Sequence, residues 1–481
     1  MLLIGLVLSA CVTARELSWN WWPTGIHDSV PAGQDTLRWT AGLSFAIASG
    51  DYAPFWLTSN TNGDVSSNPI SGNLTAGIYK EAVHDERWWD YDFDVQLTGR
   101  MPAQNQILAA GYFNQLYAHV RLYIFDITAG IKPMIYETQD TALTMGSLVF
   151  SGNSQPLPRI TIGIDKYVPF PGLFGYVEIK GGLTHAWLAD NVYVEKAFIH
   201  HKFAALRVGG KLPVNISYEF HHAAEWGGYS PLYGDLGNDW TAFKHVFMAQ
   251  SGGNTSDDQL NAQGNHVGSQ QLMVTGKGKG WQISAYWQNF FEDNFAFIGN
   301  GQNIADGLWG VSMKQTRWPF IQGVTYEFLN TTDQSGPWHD RDGLCYAGKD
   351  AYYQNHAYQN GWNYFYRSVG TPFITSPLYN KDGTIHTLNS RVRVHHIGVR
   401  GDIYGFLYRV KASYARNYGN DVTSRAVLST NTALLLEVTK RVEKTWGLEF
   451  GLRLAADFGS QFGNQVGGQI TIRKNGLICN W

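Results

Sequence analysis

The sequence predicts an all-β fold, a transmembrane antiparallel β-barrel of about 18 strands, and three observations carry that prediction. The first is strict alternation. Between Trp89 and Thr98, Trp89, Tyr91, Phe93, Val95 and Leu97 share one side, and Asp90, Asp92, Asp94, Gln96 and Thr98 share the other. Successive strand side chains point to opposite faces, so three carboxylates meet water while five large apolar groups require an apolar medium. The second is repetition, since such segments recur along the chain and none of comparable length keeps a 3.6-residue period. The third is composition: charged residues are only 16%, whereas aromatics reach 14%, with 53 Gly, 18 Trp and 26 Tyr. Aromatic girdles at two lipid interfaces use such a surplus, and glycines suit turns and crowded lumen positions.

Taken in order, the chain opens with a short apolar run, Leu2–Ala10, that reads as the hydrophobic part of a secretory signal peptide. The positive segment that normally precedes one is missing, so the start reads as truncated. Leu8-Ser9-Ala10-Cys11 resembles a lipobox that would put a lipid on Cys11, and Val12-Thr13-Ala14 offers a plain cleavage site. The plain site is preferred, because an embedded barrel needs no anchor. Residues 15–36 then form an N-terminal periplasmic segment, and residues 37–481 form one barrel domain with no Pro/Ser-rich linker dividing it.

Within the barrel, Leu37, Trp39, Ala41, Leu43, Phe45 and Ile47 oppose Arg38, Thr40, Gly42 and Ser44. Pro54–Asn68 breaks the alternation and is expected to plug the lumen. Alternation resumes at Trp89–Thr98, Leu116–Ile124, Val214–His221, Trp281–Trp287, Phe320–Phe328, Val392–His396, Phe406–Tyr414 and Trp446–Leu454. Thr331–Asp382 shows none and is expected to be a large extracellular loop, folding into the barrel mouth. At the C-terminus, Leu477, Cys479 and Trp481 have the opposite parity to Ile470 and Ile472, with Asn475-Gly476 between them. That dipeptide is read as a bulge in one final strand, the alternative being a hairpin turn before a strand too short to span.

Several function classes lose support. A net charge of −3 gives no basic surface for nucleic acid. Cys345 and Cys479 give neither a disulfide framework nor metal-ligand spacing. The pairs His200-His201, His221-His222 and His395-His396 sit on expected strands, where neighbours point apart, so no metal or cofactor site is expected. His222-x-x-Glu225 lacks the histidine that would complete an inverted zinc-protease motif, and there is no Gly-x-Ser-x-Gly elbow. No catalytic residue is expected.

Three windows carry a resemblance to a known family: Ser151-Gly152-Asn153 with Pro156, Pro158 and Arg159; Leu183-Thr184-His185 through His200-His201-Lys202 to His221–Gly228; and Gly361-Trp362 through Gly370-Thr371-Pro372. Ala53–Asn60 and Arg391–Gly398 extend it towards both ends. In order and spacing these windows are similar to the Wzi-type capsule assembly family. The resemblance implies a monomeric, non-enzymatic lectin in the bacterial outer membrane, holding capsular polysaccharide at the cell surface, with lipid and polysaccharide export machinery as further partners. It also implies small helical elements closing the periplasmic side of the lumen, for which Pro54–Asn68 is the candidate. Arg15–Thr36, with Pro23, Gly25, Pro31 and Gly33, departs from the N-terminal helical bundle of the enterobacterial type.

Sugar binding needs flat apolar faces for pyranose C–H groups and planar polar groups for hydroxyls. The 331–382 segment supplies both, and Trp338, Tyr352, Tyr353, Trp362, Tyr364 and Tyr366 are its candidate polysaccharide-binding residues. The structural alternative places such rings in the interfacial belt. Arg391, Arg393 and His395, read as one inward strand face, are the second candidate set, as a guide for acidic polysaccharide. Arg409 and Lys411 form a similar row. Here the structural alternative is pairing with lumen carboxylates such as Asp90, Asp92 and Asp94. Two other functions remain, a porin-like channel, which needs an open lumen, and an outer-membrane hydrolase, which needs a catalytic constellation.

Overall fold

The computed structural model describes residues 35–481 apart from 84–86, 102–110, 138–139, 293–302, 335, 337–338, 342–343, 347–349, 421–426 and 446. The expected signal peptide, the Cys11 lipobox and nearly all of the 15–36 segment lie outside the described residues.

Eighteen antiparallel strands form one closed sheet. They are β1 Thr36–Ala48, β2 Ile70–Lys80, β3 Trp89–Met101, β4 Gly111–Leu122, β5 Phe125–Ile131, β6 Pro158–Pro169, β7 Val177–Trp187, β8 Phe198–Val208 and β9 Val214–Trp226. The series continues with β10 Asn265–Gly278, β11 Trp281–Glu292, β12 Gly307–Gln315, β13 Gly323–Asn330, β14 Val392–Ile403, β15 Phe406–Asn417, β16 Ser429–Val442, β17 Leu448–Gly459 and β18 Gln465–Asn480. Each strand pairs with its sequence neighbours, and β18 closes the barrel on β1. The strand count agrees with the expectation. Among the described residues no helix is long and apolar enough to cross a membrane.

Connections after even-numbered strands are short, such as 123–124, 279–280 and 404–405, whereas those after odd-numbered strands include 49–69, 132–157, 227–264 and 331–391. One end of the barrel is therefore a turn end and the other a loop end. On β15 the outward residues are Phe406, Tyr408, Val410, Ala412, Tyr414 and Arg416. Phe406 to Tyr414 spans roughly 20 Å of height at the usual rise and tilt, close to one apolar band with an aromatic at each edge.

The last strand is continuous, as expected, but the irregularity is displaced. Asn475 and Gly476 pair in regular register with Thr40 and Trp39, and the register shifts between Leu37 and Arg38, making Ile478 the extra residue. Trp39 explains the glycine: its indole lies where a Cβ on Gly476 would stand, Nε1 at 2.3 Å.

The lumen is filled. The connections 49–69, 132–157 and 331–391 turn inward from the loop end and build a core inside the barrel from Phe55, Trp56, Leu57, Leu148, Phe150, Tyr352, Tyr353, Trp362, Phe373 and Ile374. Pro54–Asn68, expected on the periplasmic side, thus enters from the opposite end, because it joins β1 to β2 where the long connections gather. It carries the short helix α1, Phe55–Thr58. The 331–382 segment enters from the loop end with it and packs on the same core.

Wall polarity inverts near this plug. Ile199, Ala223, Val267, Phe290, Leu308, Leu329, Val392, Val394 and Leu435 belong to the same core, so their strands point apolar groups inward there. Nearer the turn end the inward groups are charged. Asp90 pairs with Arg121 at 3.1 Å, Lys180 with Glu219 at 2.6 Å, and Glu437 with Arg409 and, at 3.2 Å, with Arg453.

Candidate functional site

The plug is fixed to the wall by polar groups whose partners are mostly plug backbone. Arg453 donates to the carbonyls of Trp56 and Leu57 at 3.0 and 3.2 Å, and Arg409 donates to Ala142 O at 3.0 Å. Lys411 donates to Thr144 O at 3.1 Å with its ammonium 4.4 Å from the Trp56 ring centre. Glu327 accepts from Thr144 Oγ1 and Met145 N at 2.7 and 2.6 Å. Loops without regular secondary structure leave many backbone groups unpaired, and a charged wall satisfies them. The fit is close: a Cβ on Gly398 would stand 2.9 Å from Leu143.

Two of the windows that carry the family resemblance meet inside this plug. Ser151 Oγ donates to Gly370 O at 2.6 Å, and Asn153 Nδ2 donates to Ser368 O at 3.1 Å.

The sugar-binding candidates fare differently from expectation. Tyr352, Tyr353 and Trp362 have no exposed surface and Tyr364 has 3%. Tyr352 donates to Asp306 Oδ2 at 2.9 Å, Tyr353 to Leu148 O, and the Trp362 indole to Val149 O at 2.9 Å. A ring enclosed on both faces presents none to a sugar, so these four are core residues. Tyr366 is half-buried, with φ +61°, and keeps an accessible part. Trp338 lies outside the described residues.

The basic candidates are corrected by parity. Val392, Val394 and His396 are buried and face the plug, so Arg393 and His395 face outward. His395 contacts the outward Tyr326 hydroxyl at 2.8 Å and Phe328, and Arg393 donates to Asn330 and Thr332 at 3.1 and 3.2 Å. Neither guides anything through the lumen. Arg391, just before the strand, is 1% exposed. Asp90 and Asp92 do face the lumen within ion pairs, and Asp94 faces it accepting from Gln96 at 2.7 Å.

Cross-strand pairing assembles histidines that are distant in sequence. His201 and His221 stack inside the wall with ring nitrogens 3.0 Å apart, and His222 meets His266 at 2.8 Å on the outer face. Helix α2, Trp240–Met248, capped by Asp239, covers that outer face through Phe243 and Phe247 beside His200. Metal-ligand atoms of His119, Asp126 and Asp165 also gather within 4.8 Å. Both His119 nitrogens are engaged by Asp92 and Asp126, so the ring bridges carboxylates.

On the turn side of the plug a cavity of about 360 Å³ remains between the 132–137 segment and the inner faces of β5–β8. Tyr136 and Phe203 offer ring surface, and Thr128, Thr161, Glu137, Arg159 and Lys180 offer polar groups. Arg159 belongs to a window already singled out in the sequence. Only the fold places it beside Tyr136 and Glu137, which no alternation marks.

Three carboxyls at the plug boundary are held above their usual range by burial. Asp64 is pushed up to about 6 against Arg100, Asp190 to about 6 against several backbone amides, and Asp306 to about 7 against the amides of Gln334 and Asp333.

A closed barrel with an apolar outer band, charged inner wall and filled lumen is an outer-membrane β-barrel of the plugged kind, and the chain resides in the bacterial outer membrane. No family profile and no curated protein matches it. Among solved structures it is similar to Wzi of Escherichia coli, described as an outer-membrane protein involved in group 1 capsule assembly and a carbohydrate-binding β-barrel. The TM-score is 0.59 at 14% identity, over 92% of this chain and 85% of that one. Two further structures are OccK5 (OpdH) of Pseudomonas aeruginosa, with TM-score 0.47, 8% identity and 92% and 98% coverage, and a BenF-like porin of Pseudomonas fluorescens, with 0.46, 8%, and 92% and 99%.

Proposed function

We propose that this protein is a non-enzymatic, monomeric polysaccharide-binding barrel that helps assemble or attach capsular or exopolysaccharide at the cell surface. The observation that carries the reading is the plug. Three long connections fill the lumen with one aromatic core, fixed by wall arginines, which disfavours a diffusion channel. Polar groups throughout the plug shell suit a surface that meets glycan, and the similarity in fold to a carbohydrate-binding barrel points the same way. With Tyr352, Tyr353, Trp362 and Tyr364 enclosed, the external contact surface passes to exposed rings at the loop end, such as Tyr229 and Tyr233, together with the half-buried Tyr366.

The test is saturable binding of the purified, detergent-solubilised protein to the surface polysaccharide of the producing organism, alongside conductance in a planar bilayer. Binding without steady conductance is expected. Steady conductance with no binding by a demonstrably folded barrel overturns the reading in favour of a channel.

A further inference from the structure

We propose that the cavity between the plug and strands β5–β8 is a binding site for one neutral sugar residue, reached from the turn end. The proposal rests on the reading of the chain as a polysaccharide binder and names a site for it.

Its volume, about 360 Å³, lies at the lower end of the range for small-molecule pockets, roughly 300–1,000 Å³. Two buried polar atoms at the site have no hydrogen-bond partner among the described residues. They are Oε1 of Glu137, whose other oxygen accepts from Ser147 and Ser269, and Nε of Arg159, whose terminal nitrogens donate to the carbonyls of Lys132 and Pro133. An acceptor and a donor of this kind incur a desolvation cost that a ligand hydroxyl relieves, because a hydroxyl both donates and accepts. Glu137 also sits at φ +56°, an uncommon conformation for a residue with a side chain, and such strain gathers at ligand sites. Tyr136 and Phe203, 5.2 Å apart, supply apolar ring surface for pyranose C–H groups.

The charges select against an anion. Lys180 is paired with Glu219 at 2.6 Å and Lys132 with Asp92 at 3.6 Å. Arg159, which donates to backbone carbonyls, is balanced by the carboxylates of Glu137 and Asp165 in the same lining, and these would repel a ligand carboxylate. A neutral hexose residue fits this arrangement better than a uronate.

The test uses the full chain in micelles, titrated with D-glucose, D-galactose and D-mannose, and with D-glucuronate and D-galacturonate, followed by saturation-transfer NMR. The variants are Glu137→Gln and Thr128→Leu. The second removes a cavity hydroxyl and narrows the space, and heat-modifiable gel mobility reports that both barrels fold. Saturable binding of a neutral hexose, weaker uronate binding, and a loss of about tenfold in either variant are expected. Hexose binding unchanged in both folded variants, or uronates binding as tightly as hexoses, overturns the site. If the wild type binds the organism's polysaccharide but no hexose, the site falls and the polysaccharide reading stands. If it binds neither, both fall.

Discussion

The turn-end half and the loop-end half of the same barrel wall follow opposite rules. Near the turns, strands carry apolar groups outward and charges inward; beside the plug, several carry apolar groups inward and polar ones outward. Strand β15 shows the outer change on one face, from Val410 through Tyr414 to Arg416. Parity in a barrel strand therefore reports the local medium on each side of the wall. Lipid outside and an ion-paired, polar interior give one pattern, and a polar medium outside with an apolar plug core inside gives its inverse.

Substitution at the charged inner wall is expected to cost most. Glu437 pairs with both Arg409 and Arg453, and those arginines hold Ala142, Trp56 and Leu57 of the plug. Glu437→Ala leaves two buried guanidinium groups without that carboxylate, and a loss of about 3–5 kcal/mol in unfolding free energy is expected. In the plug, Trp362→Ala is expected to cost a similar 3–5 kcal/mol or so through the cavity it leaves. Denaturant titration in micelles measures both, and a loss confined to Trp362→Ala would mean that the wall charges do not hold the plug.

The inversion also explains what was legible in the sequence. The strand series, the lumen carboxylates Asp90, Asp92 and Asp94, and the break at Pro54–Asn68 follow from alternation, because near the turn end the wall separates lipid from a polar, ion-paired interior. Alternation alone puts Arg393 and His395 inward, whereas beyond the membrane edge Val392 and Val394 pack on the plug and turn them outward. Tyr352, Tyr353 and Trp362 read as ligand-facing because a segment without alternation looks like a free loop, and a core built of loops has no period. The cavity was hidden for the same reason, since Tyr136 and Glu137 lie in such a segment.

A sharper test moves one charge along one face. Val410 lies between Tyr408 and Tyr414, near the middle of the apolar band, and Val410→Arg is expected to cost about 2–4 kcal/mol. A cost near zero would mean that the band is displaced from the height assigned to it.

The plug boundary should also show itself as pH dependence. For Asp64, Asp190 and Asp306 the folded pKa is raised, so between about 4 and their values near 6 to 7 the folded state binds more protons than the unfolded one. Stability therefore falls as pH rises through that window, by at most about 1.4 kcal/mol per pH unit for each group. Tryptophan-monitored thermal unfolding is expected to occur at lower temperature at pH 8 than at pH 5, with a shallower dependence in Asp306→Asn. The opposite slope would mean that lumen ion pairs, whose carboxylates favour high pH, outweigh the plug boundary.

The smallest effect is the counterpart of Val410→Arg. Arg416 shares strand and face with Val410 but stands beyond Tyr414, exposed, its guanidinium 5.7 Å from that ring's centre. If the outer wall is aqueous at this height, Arg416→Val removes a solvated charge and leaves the unfolding midpoint unchanged. A rise in that midpoint would place Arg416 within lipid, where a valine is preferred, and would move the membrane edge above the level at which the wall inverts. The pair of substitutions on one strand thus separates the two halves by their solvent.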